Sequence, residues 1–393
     1  MAKLSSSPTG TKSVSRWINQ VSALALRAVR TVSREAGHGK IEVERNLNAR
    51  AERIPERNEV QLSQTSETLR QYNANTTGDD LLKDLSGEIQ GKVIVTTGVT
   101  LGSLGGTFVQ TIAKAQPAVL ILAARSLDKA QATADAIKTA YPNIDVRKVQ
   151  LDLSSFAAVR EASATINSWT DIPHIDVLVN NAGIMGTEFK LTVDGYEQQF
   201  ASNHLGHFLF TNLIMDKLLA SKAPRVVSVS SEAHRLSPIR WSDSNFSNGE
   251  SYDRWQAYGQ SKTANILMCL ALAERLGPKH GLTAFSLHPG VIATKLVEHF
   301  DFTVALPEMT ALDKNLGNII WDDIPWKTPE RGVATHIYAA FEPSLKGYNG
   351  EYLQDSRISD PYTDTVRPWA TSKVEAERLW KLSEKLVGQE FSY

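Results

Sequence analysis

From Gly91 onward the chain alternates short β-branched runs with longer helical stretches, and that alternation restricts it to few folds. The strand-like runs are 92–97, 118–123, 146–151, 175–180, 225–230, 282–287 and a short 350–353. Helical stretches lie between them, among them 127–140, 193–219 and 256–276, and a charged amphipathic helix over 372–387 nears the end of the chain. Parallel strands cannot be joined by tight turns, since each crossover needs a dozen or more residues, usually a helix. The expectation is an α/β fold, a doubly wound parallel sheet of about seven strands in one domain over 88–393.

Residues 1–87 lack the alternation. Residues 1–34 hold Lys3, Lys12, Arg16, Arg27, Arg30 and Arg34, several serines and no acidic residue. Val14, Trp17, Ile18, Val21 and Ala25 recur at helical spacing, which fits a mitochondrial presequence over 1–40 or a leader with no folded role. Residues 35–85 are polar and charge-mixed, the composition of a linker. An N-terminal extension, disordered or targeting, is therefore expected. It does not read as a secretory signal, because Arg27 and Arg30 interrupt its most apolar part. No membrane span is expected, because no apolar run reaches about 18 residues. The net charge of -1 gives no basic field that would draw nucleic acid. Cys269 is the only cysteine, which rules out an intrachain disulfide and suits a reducing compartment. The expected location is cytoplasmic, with the mitochondrion as the alternative.

The first run leads into Thr97-Gly98-Val99-Thr100-Leu101-Gly102-Ser103-Leu104-Gly105-Gly106, after which a helix begins. Glycines permit a tight turn and let the backbone approach a pyrophosphate at the helix N-terminus. Such a turn can also be a plain connection. Its place between the first strand and first helix of a βαβ unit points to a dinucleotide held by a Rossmann-type sheet, with Gly98, Leu101, Gly102 and Leu104 as contacts. The second run ends at Ala124-Arg125. An acidic residue near this point would bind the ribose 2′-hydroxyl of NAD, yet none occurs from Gly98 to Arg125. The Arg125 guanidinium suits a 2′-phosphate, so NADP(H) is the expected cofactor; the other reading is a solvated arginine at a strand end.

Tyr258 and Lys262 are four residues apart, which on a helix places phenol and amine on one face. A free tyrosine has a pKa of about 10, too high for proton transfer near neutrality. A neighbouring ammonium favours the phenolate, and a cationic cofactor ring would add to the effect.

These segments together resemble the short-chain dehydrogenase/reductase family, in particular its retinol-dehydrogenase-like and fungal branch. The motifs occur in order over 88–393: the glycine turn, Leu151-Asp152-Leu153, Asn180-Asn181-Ala182-Gly183, Asn203, Ser231, Tyr258 with Lys262, and Pro289-Gly290-Val291-Ile292-Ala293-Thr294. One departure stands out, because the third glycine falls a residue late and Leu104 takes its usual place. The resemblance implies an NADP-dependent oxidoreductase that interconverts an alcohol and its ketone or aldehyde. It implies catalysis by Asn203, Ser231, Tyr258 and Lys262, with Tyr258 as general acid/base and Asn203 ordering a water that relays protons to Lys262. It places Asp152 near the adenine, Asn181, Ala182 and Gly183 along the cofactor, and Val291 and Thr294 near the carboxamide, with Tyr258 and Lys262 also touching it. A homo-oligomer is implied by analogy alone. Local alternatives stay open: Asp152 as a helix N-cap, and Asn180-Asn181 and Pro289-Gly290 as simple turns.

His204 and His207, and likewise His234 and His288, could pair on a metal, but no carboxylate or cysteine pattern accompanies them, and structural roles are expected. Two long segments, 232–256 with Trp241, Phe246, Tyr252 and Trp255, and 295–329 with Phe300, Phe302, Trp321 and Trp326, suit either a lid over a bulky apolar small-molecule substrate or loop-layer packing. A rival functional class is an NADPH-binding regulatory or scaffold protein without turnover. A nucleotide-sugar epimerase or dehydratase is a second enzyme reading.

Overall fold

The computed structural model describes residues 72–298, 300–318 and 325–393. The basic N-terminal segment, its presequence alternative and Trp321 lie outside the described residues. The chain divides into two compact units; one comprises Gln71–Asp301, Ala305–Ile319 and Pro325–Tyr393, and of the other Phe302–Val304 are described, as helix.

One eight-stranded sheet organises the larger unit. Its strands are β1 (Val93–Thr97), β2 (Val119–Ala124), β3 (Asp145–Gln150), β4 (Val177–Asn180), β5 (Arg225–Val229), β6 (Thr283–His288), β9 (Tyr352–Gln354) and β10 (Arg357–Ile358). The short pair β7 (Val291–Ile292) and β8 (Trp326–Lys327) stands apart. The spatial order is β3-β2-β1-β4-β5-β6-β9-β10, with every neighbour parallel except β10 against β9. Chain order reverses at β1, where strand connections depart to both sides, and this switch point is where open α/β sheets bind ligands. All seven expected strands are present within two residues of their expected ends.

Successive strand side chains point to opposite faces. Val93 and Val95 join one core with Phe208, Leu267 and Trp380, whereas Ile94 joins the other with Phe108, Ile112 and Ile337. The helices supplying these layers are α1 (Gly78–Ile89), α2 (Leu104–Ala113), α3 (Leu127–Ala140), α4 (Phe156–Ser168), α5 (198–213), α6 (Arg254–His280), α7 (Phe302–Asn315), α8 (Pro329–Phe341) and α9 (Lys373–Val387). No helix among the described residues is long and apolar enough to cross a membrane.

Two elements differ from the sequence reading. Helix α1 occupies a stretch read mostly as polar linker and crosses the expected 87/88 boundary. Thr77 and Asp80 form a capping box at its start, and Leu81, Leu82, Leu85 and Ile89 are buried along one stripe. The helix expected over 193–219 starts only at Gln198, because the Glu197 carboxylate caps it by accepting from the amides of Gln199 and Phe200. It passes through a π-turn at Ala201–Leu205, breaks at Ile214 and resumes over Met215–Leu219, reaching its expected end.

Candidate active site

The glycine turn closes against the end of β4. Gly98 has φ 75°, and a Cβ there would lie 2.7 Å from the Ala182 Cα, so a side chain is excluded twice over. Gly105 supplies the second close approach, since a Cβ on it would lie 2.5 Å from the Gly98 carbonyl. The displaced glycine thus makes its close backbone approach one residue late. Leu104 turns its side chain towards Gly332 of α8, where an added Cβ would sit 3.0 Å from Leu104 Cδ2. Ser103 caps α2, accepting from the Gly106 amide at 3.2 Å. On its open side, a Cβ on Gly102 would meet only the Lys295 stem, at 3.9 Å, which brings the segment after Thr294 beside the turn; Leu101 is exposed.

Thr97, the last residue of β1, knits this turn to the next. Its Oγ1 accepts from the amides of Asn181 (3.0 Å) and Ala182 (2.9 Å), while Asn181 Nδ2 donates to the Thr97 carbonyl at 2.8 Å. Arg125 is exposed at the end of β2, and no carboxylate among the described residues pairs with it. Asp152 stands past the end of β3, where the Leu151 amide donates to the Ala124 carbonyl (2.9 Å), so Arg125 and Asp152 occupy neighbouring strand ends. Asp152 Oδ1 accepts from the Ser154 amide (2.9 Å) and hydroxyl (2.6 Å); Ser155, not Asp152, is the N-cap of α4. Val291 lies in β7 and Thr294 opens the turn that follows it, accepting from the Val297 amide at 3.0 Å.

Asn203 and Lys262 meet beside Gly183, and Lys262 faces the ring of Tyr258. A Cβ on that glycine would lie 3.1 Å from Asn203 Oδ1 and 3.5 Å from Lys262 Nζ. The Asn203 carboxamide is fixed, with Oδ1 accepting from the Ile184 amide (2.8 Å) and Nδ2 donating to the Ile184 carbonyl (2.9 Å) and Ser261 Oγ (2.9 Å). Lys262 Nζ donates to the Val229 carbonyl at 3.0 Å. Burial pushes the Tyr258 phenol up to about 12, and the Ser231 hydroxyl, hydrogen-bonded to it, pulls the other way. Burial also brings Lys262 down to about 7. This differs from the sequence argument, in which the lysine's charge lowered the phenol: within the protein alone, dehydration governs both groups and disfavours both charges. The adjacent Ser230 serves another purpose, its hydroxyl donating to the Lys262 carbonyl at 2.7 Å.

The flanking aromatics divide. Phe246 is buried, packs edge-on against Tyr252 with centroids 5.5 Å apart, and lies under the Arg240 guanidinium; Trp241 lies under Arg378. Trp255 and Phe300, with centroids 5.4 Å apart, instead stand at Gly186, where a Cβ would meet the Phe300 ring at 2.7 Å. Each histidine has partners of its own: His204 with Ser383, His207 with Thr97 and the Asn203 carbonyl, His234 with the Ser231 carbonyl, and His288 accepting from the Glu232 amide. Sequence reasoning passed over Thr97, Lys295 and Gly186, although Thr97 stands directly before the first glycine.

The family model for short chain dehydrogenases matches residues 92–303. The chain belongs to the short chain dehydrogenase family. Retinol dehydrogenase 13 of Homo sapiens is 36% identical over 302 residues, covering 77% of this chain and 86% of that protein. The Brassica napus protein named short-chain dehydrogenase TIC 32 B, chloroplastic, is 34% identical over 323 residues, covering 80% and 94%. Among solved structures, an uncharacterized protein from Mycobacterium Paratuberculosis superposes with a TM-score of 0.59 at 28% identity, covering 79% of this chain and 99% of that one. The short chain dehydrogenase is thus retinol-dehydrogenase-like, an oxidoreductase of a family that binds a nicotinamide cofactor. The cradle fits that group: the left-handed Gly98 and Gly102 bare the backbone at the start of α2, and Gly183 leaves the space before Lys262 open.

Proposed function

We propose that this short chain dehydrogenase uses NADP(H) to interconvert a bulky, apolar alcohol and its aldehyde or ketone, with Tyr258 as general acid and base. The run of contacts from Ser231 to Tyr258, from Tyr258 to Lys262 and from Lys262 to Asn203 beside Gly183 carries the reading. Gly98, Leu101, Gly102, Leu104, Asp152, Asn181, Ala182, Gly183, Val291 and Thr294 would line the dinucleotide, and Arg125 would meet a 2′-phosphate. Arg125, exposed at the end of β2 and paired with no carboxylate among the described residues, supports NADP over NAD. When bound, the cofactor supplies or accepts the hydride.

The protein's own part is proton transfer. Burial keeps the phenol protonated at working pH, and an alkoxide is a stronger base than a phenolate, so in reduction Tyr258 gives its proton to the developing alkoxide, while Ser231 donates a hydrogen bond to the same oxygen. Lys262 and Asn203, which flank one point beside Gly183, return a proton to the tyrosinate through water. The substrate side is bounded by Trp255 and Phe300 at Gly186, an aromatic pair suited to a large apolar group, and relatives named as retinol dehydrogenases support that class.

The test follows NADPH absorbance with a panel of aliphatic aldehydes, aryl ketones and retinaldehyde, for the wild type and Tyr258→Phe. Turnover that collapses in the variant while NADPH still binds is expected. Equal rates in the two proteins would remove Tyr258 from the mechanism, and a wild type that binds NADPH but reduces nothing would favour a regulatory protein.

A further inference from the structure

We infer that His207 is a positioning residue, fixing the turn that holds Asn203 from the strand that carries the glycine turn. The inference rests on the proposed part of Asn203 in proton relay. His207 is buried one turn beyond Asn203 on α5, with Nδ1 at 3.0 Å from the Asn203 carbonyl oxygen and Nε2 at 2.9 Å from Thr97 Oγ1.

The donor count around Thr97 decides which way the ring faces. A hydroxyl has one hydrogen to donate and two lone pairs to accept with. The amides of Asn181 and Ala182 fill both lone pairs, at 3.0 and 2.9 Å. The remaining hydrogen of Thr97 goes to His207 Nε2. That nitrogen is therefore the acceptor, the ring proton sits on Nδ1, and Nδ1–H donates to the Asn203 carbonyl. Burial, the largest influence, holds the ring neutral with a pKa lowered to about 4, and the charge of Lys262 acts in the same direction.

Asn203 requires such a brace because its turn is irregular. In the π-turn Ala201–Leu205 the Gly206 amide reaches back to the Ala201 carbonyl, so the regular four-residue ladder is interrupted where Asn203 sits. Its carboxamide must nevertheless keep Oδ1 towards the point beside Gly183 that Lys262 Nζ also faces. Thr97, which organises the two amides of the expected cofactor strip, thus also sets His207, and through it the turn of Asn203. One hydroxyl ties the dinucleotide side of the site to its proton-relay side.

Two substitutions separate the two bonds. The amide of asparagine falls near the position of Nδ1, and that of glutamine near Nε2. His207→Asn keeps the bond to Asn203 and loses Thr97, whereas His207→Gln keeps Thr97 and loses Asn203. Each discards one buried hydrogen bond, so a merely structural histidine predicts similar losses for both. With NADPH and the panel carbonyl that the wild type reduces fastest, kcat should fall about tenfold or more in His207→Gln, and about threefold or less in His207→Asn. The Kd of NADPH, read by fluorescence, should stay within about twofold in His207→Gln. Spectra of the wild type labelled with 15N-histidine should show the His207 proton on Nδ1. A proton on Nε2, or equal kcat losses in the two variants, overturns the inference. An unchanged kcat in Asn203→Ala would instead remove the relay on which it rests.

Discussion

Lys262 Nζ lies 5.5 Å from the centroid of the Tyr258 ring, and neither residue is more than 4% exposed. The pair is held where water cannot solvate either charge, so the protein maintains a neutral phenol and a lysine poised near neutrality at a cost in stability. Below about pH 7 the folded and unfolded lysines are both charged, and the buried charge is destabilising. Between about 7 and the ordinary value of 10.5 the unfolded chain binds the extra proton, so stability rises with pH across that window. Tyr258 acts oppositely, but only above its ordinary value of 10.0, where the folded phenol keeps a proton that the unfolded one releases. Lys262→Met should therefore raise Tm at pH 7, with a gain of several kcal/mol as the upper limit at roughly 1.4 kcal/mol per pKa unit. Its Tm should also climb less than that of the wild type between pH 7 and 10. Thermal melts of both proteins across that range measure this, and a lower Tm for the variant at pH 7 would contradict it.

Arg125 is exposed at a strand end, so replacing it should leave the fold intact. Arg125→Asp puts the acidic residue that suits a free 2′-hydroxyl where a 2′-phosphate would be repelled. The Kd for NADPH should rise by about tenfold or more, as expected from losing one charge-assisted contact, while that for NADH falls or holds. Fluorescence titration with both nucleotides gives the ratio directly; an unchanged ratio would remove Arg125 from cofactor selection.

What was legible in the sequence was whatever depends on short-range pattern. The seven strands announced themselves through β-branched runs, and the motif residues other than Asn203, Tyr258 and Lys262, which lie on α5 and α6, fell at the C-terminal ends of those strands, as the doubly wound order requires. Helix α1 was obscured because its four apolar residues are scattered among three aspartates, a lysine and a glutamate, and only packing shows that they form one stripe. The π-turn has no signature, since Ala-Ser-Asn-His-Leu is ordinary helix composition. The contact between Thr97 and His207 spans 110 residues, and the pKa values of Tyr258 and Lys262 depend on burial, so neither was accessible before the chain was folded.

Leu104 and Gly332 should be energetically coupled. A Cβ on Gly332 would lie 2.8 Å from Ile292 Cδ1 and 3.0 Å from Leu104 Cδ2, the ends of side chains that can shift at some strain. Gly332→Ala alone should come out near neutral, because overpacking of about 1 kcal/mol or more opposes a helix-propensity gain of about 1 kcal/mol. In a Leu104→Ala background the contact with Leu104 is gone and only that with Ile292 remains to oppose the gain. A double-mutant cycle in denaturant should show coupling of about 1 kcal/mol, and strict additivity would mean that the two side chains do not share this space.

Helix α7 carries two acidic residues that test how burial sets the worth of an ion pair. Asp313 is 3% exposed and accepts from Arg235 through Nε at 2.9 Å and Nη2 at 2.8 Å, with Asn318 Nδ2 donating to it at 2.7 Å. Glu308, nearly half exposed, accepts from Arg254 Nη2 at 2.6 Å and Trp255 Nε1 at 3.1 Å. Neutralising Asp313 leaves a buried guanidinium with Glu232 still paired to it, at 3.2 Å. Breaking a buried pair on one side costs about 3–5 kcal/mol, and Glu232 should reduce that loss without cancelling it. Exposed pairs are worth about 0–1 kcal/mol. Asp313→Asn should therefore lower unfolding stability by about 2–4 kcal/mol and Glu308→Gln by about 1 kcal/mol or less, with only the smaller effect fading in high salt. Urea unfolding at low and high salt separates the two. Equal losses would mean that Arg235 has found water once Asp313 is neutral, and that the pair is not the sealed contact its burial indicates.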